Sequence, residues 1–267
     1  MEALMRIAVC CKAVPSQKVG IDPHTGNINR SEAGCSVNMY DYAAVETALR
    51  VKDSFPDTEI LVFSMGPEGA GEALREILSL GADQAFLICD PAFRGSDVLA
   101  TSLTLAKALT LLGPFDLILC GKQTSDGDTA QVSGELAARL KIPYIPWVTN
   151  CVSVSRTEAR VVSEMDDCLV TWKTSFPALM SVDPRAFTVR TASLTGKIQS
   201  RRKEIPLLTR ALLELPEDYS GAGASATRVI RGEKLAVIKG KTPARLTPTA
   251  FHELALSAAD PRKAVQS

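Results

Sequence analysis

Residues 120 to 131 read CGKQTSDGDTAQ and follow directly on FDLIL, an apolar run suited to a buried strand. Two aspartates, two threonines, two glutamines, a serine and two glycines at a strand exit are costly to desolvate, so something polar is expected against them. Gly121 and Gly127 permit close backbone approach and positive φ. Asp128 and Thr129 stand where the next helix is expected to begin, and the free N–H groups of a helix start suit a phosphate. Asp126 and Asp128 would repel an anion if both faced it, so one of them is expected to cap a helix or hold a ribose hydroxyl. An ordinary polar loop with an aspartate cap fits the same composition.

Two more strand exits bear on this. FSMGPEG (63 to 69) puts Ser64 and Gly66 at the carboxyl edge of an expected strand, and CCKAVP (10 to 15) puts Lys12 at the same edge. Singly these read as a simple turn and a solvated lysine. Together the three exits outline a nucleotide site, with Lys12 as counter-charge to phosphate. Neither G-x-G-x-x-G nor G-x-x-x-x-G-K-[ST] occurs, which excludes the common dinucleotide fingerprint and the P-loop. Another kind of surface is expected at TASLTGKIQSRRK (191 to 203), where Leu194 precedes Lys197, Arg201, Arg202 and Lys203 with no acid among them. An apolar tip beside a basic cluster suits docking on another protein, although an exposed loop with a solvated charge run has the same composition.

The elements that must position these residues follow from periodicity. MRIAVCCK (5 to 12), EILVFSM (59 to 65), QAFLICD (84 to 90) and FDLILCG (115 to 121) lack polar alternation, as strands buried on both faces do. Between them the spacing predicts helices over 39 to 52, with Asn38 as candidate N-cap and Asp41 three residues on, over 71 to 80 ending at Gly81, and over 96 to 112. A fourth is predicted over 128 to 140. Alternating strands and helices imply a doubly wound, mostly parallel α/β sheet, Rossmann-like, whose ligands bind beyond the carboxyl ends of the strands. After Pro146 the segments WVTNCVSVS, ARVVSEMD, CLVTWKTS and PALMSVD read as antiparallel strands finishing that sheet. Residues 1 to 205 are expected to form the nucleotide-binding domain and 206 to 267, rich in Pro, Gly, Ser and Ala, an arm ordered by packing on a partner.

Thirty basic and thirty acidic side chains cancel, so no overall field draws the chain to nucleic acid or to an anionic membrane. No run of 18 apolar residues and no secretory leader is evident, which predicts a cytoplasmic protein without membrane insertion. Seven scattered cysteines without a C-x-x-C, and two histidines, make a zinc or iron–sulfur site an unpromising reading; the cysteines are expected to be reduced. Adjacent Cys10 and Cys11 should point to opposite faces of a strand.

The chain resembles the beta subunit of electron-transfer flavoproteins from its first strand to about Pro206. The resemblance is carried by VCCKAVP, IDPHTGNINR (21 to 30), SVNMYDYAAVETALRVKD (36 to 53), FSMGPEGAGEALREILSLGAD (63 to 83) and GKQTSDGDTAQV (121 to 132). The IDPHTGNINR stretch and the DGDTAQV loop are similar to the electron-bifurcating branch. Departures from the family pattern are Ser133-Gly134 after DGDTAQV, Asn38-Met39-Tyr40-Asp41-Tyr42 at the helix start, and Thr195 after Leu194.

The resemblance implies a heterodimer with an alpha subunit that holds an FAD. It implies that this chain's own adenine-nucleotide site holds a second FAD in bifurcating members or AMP in simple ones. The contacts it implies are Cys10, Lys12, Asn38, Asp41, Ser64, Gly66, Gly121, Lys122, Gln123, Asp126, Gly127, Asp128, Thr129, Ala130, Gln131 and Val132, with Leu194 anchoring on a partner flavin dehydrogenase such as an acyl-CoA dehydrogenase. NADH would supply electrons, shared between a low-potential carrier, ferredoxin or flavodoxin, and the dehydrogenase. No side chain is implied as acid, base or nucleophile, because the flavin carries the chemistry. A nucleotide-binding regulatory protein and an ATP-dependent amide-forming enzyme are the alternatives from other classes; the second would need a Ser/Gly-rich loop after the first strand, which CCKAVPSQ does not provide.

Overall fold

The computed structural model describes residues 4–16, 34–127 and 129–227. The stretch IDPHTGNINR and Asp128 therefore lie outside the described residues, as does the chain beyond Thr227.

In chain order the elements are β1 (Arg6–Cys10), β2 (Ala13–Pro15), β3 (Cys35–Val37), α1 (Asp41–Ser54), β4 (Glu59–Met65), α2 (Gly71–Leu80), β5 (Gln84–Ile88), α3 (Val98–Leu112), β6 (Leu117–Gly121), α4 (Val132–Leu140), β7 (Tyr144–Val154), β8 (Glu158–Glu164), β9 (Leu169–Ser175), β10 (Ala178–Val182), α5 (Leu194–Arg202), β11 (Leu207–Leu208) and α6 (Gly221–Ala224). One sheet runs β11-β5-β4-β1-β6-β10-β7-β8-β9, and β2 pairs with β3 in a small ribbon. From β11 to β7 neighbouring strands are parallel; β8 and β9 are antiparallel.

The four apolar runs of the first half become the centre of the sheet because they carry hydrophobic side chains on both faces. Ile7, Val9, Val62, Leu117 and Leu119 join the layer beneath α1 and α2, whereas Ala8, Leu61, Phe63 and Ile118 join the layer beneath α3 and α4. Cys11 lies in the first layer and Cys10 in the second, on opposite faces as expected. Phe63 stacks on Phe86 with centroids 5.5 Å apart and meets the edge of Phe115 at 5.8 Å, filling the second layer. Truncating a side chain such as Leu119, with no exposed surface, costs about 2–5 kcal/mol through lost burial and the residual cavity.

Helix ends follow local chemistry. Asp97 caps α3 by accepting the Ala100 N–H at 3.0 Å, and Gly81, with φ +128°, stops α2 in a conformation that excludes most other residues. Two boundaries differ from expectation. Helix α1 begins at Asp41, with Tyr40 at its N-cap position and no side-chain cap, because the Asn38 amide is committed elsewhere. Helix α4 begins at Val132, four residues beyond the predicted start, so Thr129 stays in the loop.

The segment PALMSVD also departs from expectation. It forms β10, parallel to both neighbours and inserted between β6 and β7. Its five residues are all buried, the pattern of a central strand rather than of an edge with one wet face. Of the segments before it, ARVVSEMD and CLVTWKTS form antiparallel strands as predicted, whereas WVTNCVSVS, within β7, is antiparallel to β8 and parallel to β10.

Past residue 205 the described chain packs on its own sheet. Strand β11 pairs with β5, and Leu213 and Leu215 are buried in the layer with Phe63. Gly221 has φ +59°, and a Cβ there would strike the backbone of Ala92. Thr227 donates its N–H and hydroxyl to Asp97 at 2.9 and 3.1 Å.

The expected docking loop is a helix. In α5, Ser193 accepts the Gly196 N–H at 3.0 Å, and Gly196 lies so close to the Ser79 carbonyl that a Cβ would collide with it. Arg75 on α2 donates to the carbonyls of Ser200 and Lys203 at 3.1 and 3.2 Å, closing the carboxyl end of α5. Arg190, just upstream, is held on α1: Nε donates to buried Glu46 at 3.0 Å and Nη2 to Asp53 at 2.7 Å.

Candidate functional site

The chain proceeds from β1 to β4 to β5 in one direction and then crosses to β6 on the other side of β1. Between the carboxyl ends of β1 and β6 the connections diverge to opposite faces, the switch point at which sheets of this kind place their ligands. The exits of β1, β4 and β6 all lie on this rim, since the strands are parallel.

The start of α1 joins two of those exits. Asn38 is fully buried; its N–H donates to the Lys12 carbonyl at 2.9 Å, its Nδ2 donates to the Gln123 carbonyl at 2.8 Å, and its Oδ1 accepts the Ser125 N–H at 3.1 Å. The Asp41 carboxylate accepts the Lys12 N–H at 2.6 Å, while Gln123 Nε2 donates to the Tyr40 hydroxyl at 3.0 Å. Gly121 completes the joint. A Cβ there would lie 2.8 Å from the Tyr40 carbonyl carbon and 2.9 Å from the Asp41 nitrogen, closer than real contacts allow.

The close approach expected at Gly121 is thus real, but its neighbour is the chain's own helix start. Positive φ plays no part at Gly121 or Gly127; the loop residue in the left-handed region is Ala130, with φ 53°. Gly66 is similarly confined, its Cβ position lying 3.2 Å from that of Ala70.

Burial pushes the Asp41 carboxyl from 3.8 up to about 7, and hydrogen bonds from Lys12, Asn38 and Gly121 with the Lys12 charge only partly oppose it. Lys12 is not a lone counter-charge for a phosphate: its ammonium pairs with Asp126 Oδ1 at 2.5 Å. This places Asp126 as the partner of a basic group, while Asp128, the other loop carboxylate, lies outside the described residues. Cys10 and Cys120 are register partners on β1 and β6; a hydrogen bond between them and burial push the Cys10 thiol upward, so it stays protonated and inert.

Lys122 is engaged by a different carboxylate from Lys12. Its ammonium donates to Asp183 at 2.9 Å and sits 5.1 Å from the centre of the Trp147 ring. Burial alone would raise Asp183, but hydrogen bonds from Arg185 and Lys122 outweigh it and hold the carboxyl well below the usual range. Arg185 continues to Glu164 on β8 at 2.9 Å.

The structure therefore brings Lys12, Asn38, Asp41, Gly121, Gln123 and Asp126 into one bonded joint, and sets Ser64 and Gly66 at the adjoining exit of β4. Thr129, Ala130 and Gln131 run along the loop toward Val132 at the start of α4, and Thr129 and Gln131 are exposed. Leu194 is 76% exposed, Ile198 48%, and Lys197, Arg201 and Arg202 are exposed beside them. Lys203 is separate: its ammonium donates to the Ala82 and Asp83 carbonyls at 2.9 and 2.8 Å, bracing α5 on α2.

Sequence reasoning missed Tyr40, Trp147 and Asp183. Asp183 follows a wholly buried strand with one polar residue, Ser181, much like the FSM exit of β4, and reading 178 to 182 as parallel would have found it. Trp147 has no such signal, since its placement depends on a local distortion of β7.

One polar group at this rim is left without a partner by the chain itself. The Ser64 hydroxyl is buried at the β4 exit with no hydrogen-bond partner, and a buried hydroxyl left unpaired is destabilising unless a ligand or water meets it. The N–H groups at the start of α4 offer further donors. Among the described residues no cluster of His, Cys, Asp or Glu could hold a metal ion, no helix is long and apolar enough to cross a membrane, and all seven cysteines are free.

Comparison with known proteins agrees with the geometry. Residues 25–212 match the electron transfer flavoprotein domain family. The chain is 38% identical over 228 residues to the caffeyl-CoA reductase–Etf complex subunit CarD of Acetobacterium woodii, covering 85% of this chain and 87% of that one. It is 37% identical over 232 residues to the electron transfer flavoprotein subunit beta of Megasphaera elsdenii, with 84% and 86% covered. Protein FixA of Azotobacter vinelandii is 38% identical over 212 residues, with 77% and 75% covered. Strand order, switch-point rim and these likenesses lead to one conclusion: the chain belongs to the electron transfer flavoprotein family, as a beta-type subunit.

Proposed function

We propose that this chain binds FAD at the β1/β6 rim and works in a heterodimer with a flavin-holding alpha subunit, in an electron-bifurcating flavoprotein. Electrons would enter from NADH and divide between a low-potential carrier, ferredoxin or flavodoxin, and a flavin dehydrogenase reached through the alpha subunit. What carries the nucleotide part of this reading is the unpartnered Ser64 hydroxyl beside a joint in which Asn38 and Asp41 fix the β1 and β6 exits together. Likeness to a subunit of a caffeyl-CoA reductase–Etf complex supports the choice of branch.

The residues of the chain bind and orient. Asn38 and Gln123 set the loop that leads to Gln131 and Val132, whose N–H groups at the helix start are suited to phosphate oxygens. Ser64 offers a hydroxyl to an adenosine polar atom. Lys12 and Asp126 present a mutually neutralised pair, so the rim attracts anions through N–H dipoles more than through net charge. FAD, when bound, would supply the one- and two-electron chemistry that no side chain here provides.

Co-expression with the alpha subunit, followed by extraction and quantification of bound nucleotides, tests the proposal. Two FADs per heterodimer, with Ser64→Ala losing one of them preferentially, are expected. One FAD with stoichiometric AMP would overturn the beta-site flavin and leave the simple, non-bifurcating form.

A further inference from the structure

Resting on that reading, we infer that Trp147 and Lys122 form a shelf for the planar ring at the far end of a bound dinucleotide, and so determine whether the rim retains FAD or only AMP. The starting observation is backbone strain. Trp147 has φ 51°, a left-handed conformation that is unusual for a bulky residue and is tolerated only when surrounding contacts fix it. Those contacts are present. The pairing of β7 with β10 is irregular between Met180 and Val182, and across that gap the Trp147 N–H donates to the hydroxyl of fully buried Ser181 at 2.9 Å. Tyr144 engages the same hydroxyl at 3.0 Å, and Ser163 donates to the Pro146 carbonyl at 2.5 Å.

Trp147 is not wholly enclosed by the core, and part of its surface stays accessible. The distortion presents an aromatic plane beside the exit of β6, where the Lys122 ammonium lies 5.1 Å from its centre. Lys122 is in turn held by Asp183, so the ring and its cation are fixed as a unit. Since the Lys122 ammonium stands over one face of the indole, a flat, electron-poor heterocycle would stack on the opposite face, with its carbonyl oxygens directed past the ring edge toward the cation. AMP ends at its phosphate and has no second ring to use such a shelf; FAD has one.

The test uses the heterodimer with its alpha subunit. In Trp147→Ala, the beta-site affinity for FAD is expected to fall roughly ten- to hundred-fold, the range set by loss of one stacked ring, while AMP affinity stays within about two-fold. Trp147→Phe is expected to restore most of the FAD affinity. Two outcomes overturn the shelf while leaving the proposed function intact: unchanged FAD affinity in Trp147→Ala, or equal loss of FAD and AMP, which would mark Trp147 as structural. A wild-type heterodimer holding a single FAD would instead overturn the proposed function itself.

Discussion

The switch-point rim and helix α5 handle polar groups in opposite ways. At the rim, Asn38 has no exposed surface and Asp41 only 4%, and nearly every donor and acceptor around them is matched within the chain. On α5, Leu194, Ile198, Lys197, Arg201 and Arg202 face outward, and only the underside is bonded, through Gly196, Arg75 and Lys203. The rim is pre-organised, so a change there disturbs the fold and the site together. The outer face of α5 contributes almost nothing to the fold, so a change there should be felt by another molecule alone.

Substitutions can break this contrast if it is wrong. The largest effect is expected for Asn38→Ala, which leaves the Gln123 carbonyl and Ser125 N–H without their buried partner; at about 1–3 kcal/mol for each lost bond the loss should total about 2–6 kcal/mol, read by denaturant unfolding. Gly121→Ala forces a methyl against Tyr40 and Asp41 and should cost about 1–3 kcal/mol, with nucleotide released at the same time.

A pH series sharpens the comparison. The Asp41 carboxyl keeps its proton up to about pH 7 in the folded state, against 3.8 ordinarily. Between those values the folded chain binds a proton that the unfolded chain has lost. Asp41 therefore contributes stability that declines as pH rises through this window and levels off above it. Asp41→Asn should flatten that slope, measured as the difference between wild-type and variant unfolding curves from pH 4 to 8; an unchanged slope would remove Asp41 as its origin.

The smallest effect on stability is expected on α5. Leu194→Ala should shift unfolding by no more than about 0.5 kcal/mol and leave bound nucleotide unchanged, while electron delivery to the dehydrogenase weakens. Loss of nucleotide in this variant, or no effect on delivery, would count against a docking role.

The parallel core was legible because apolar runs without alternation have few other fates: β1, β4, β5 and β6 lie within a few residues of where the runs placed them. Helix α2 was read residue for residue, since Gly81 marks its end and its apolar stripe is clear. The starts of α1 and α4 were less legible, because Asn38 and Asp128 look like caps in one dimension, whereas Asn38 in three dimensions binds a loop 85 residues away. Strand β10 was misread for a related reason: its position between β6 and β7 depends on a return across the sheet that no local pattern encodes. Leu194 and its basic neighbours were found by composition, but their helical form rests on Gly196 fitting over α2, a tertiary fact. Trp147 was invisible because its importance lies in a dihedral angle.

The grip of Arg190 on Glu46 and Asp53 has a consequence for geometry during association. Helix α1 starts at the nucleotide joint and carries, further along, the two carboxylates that tether the approach to α5. On the proposed reading, a molecule seated on Leu194 would be indexed against the rim through one rigid rod, and slack in that tether would show up as scatter in the donor-to-acceptor gap.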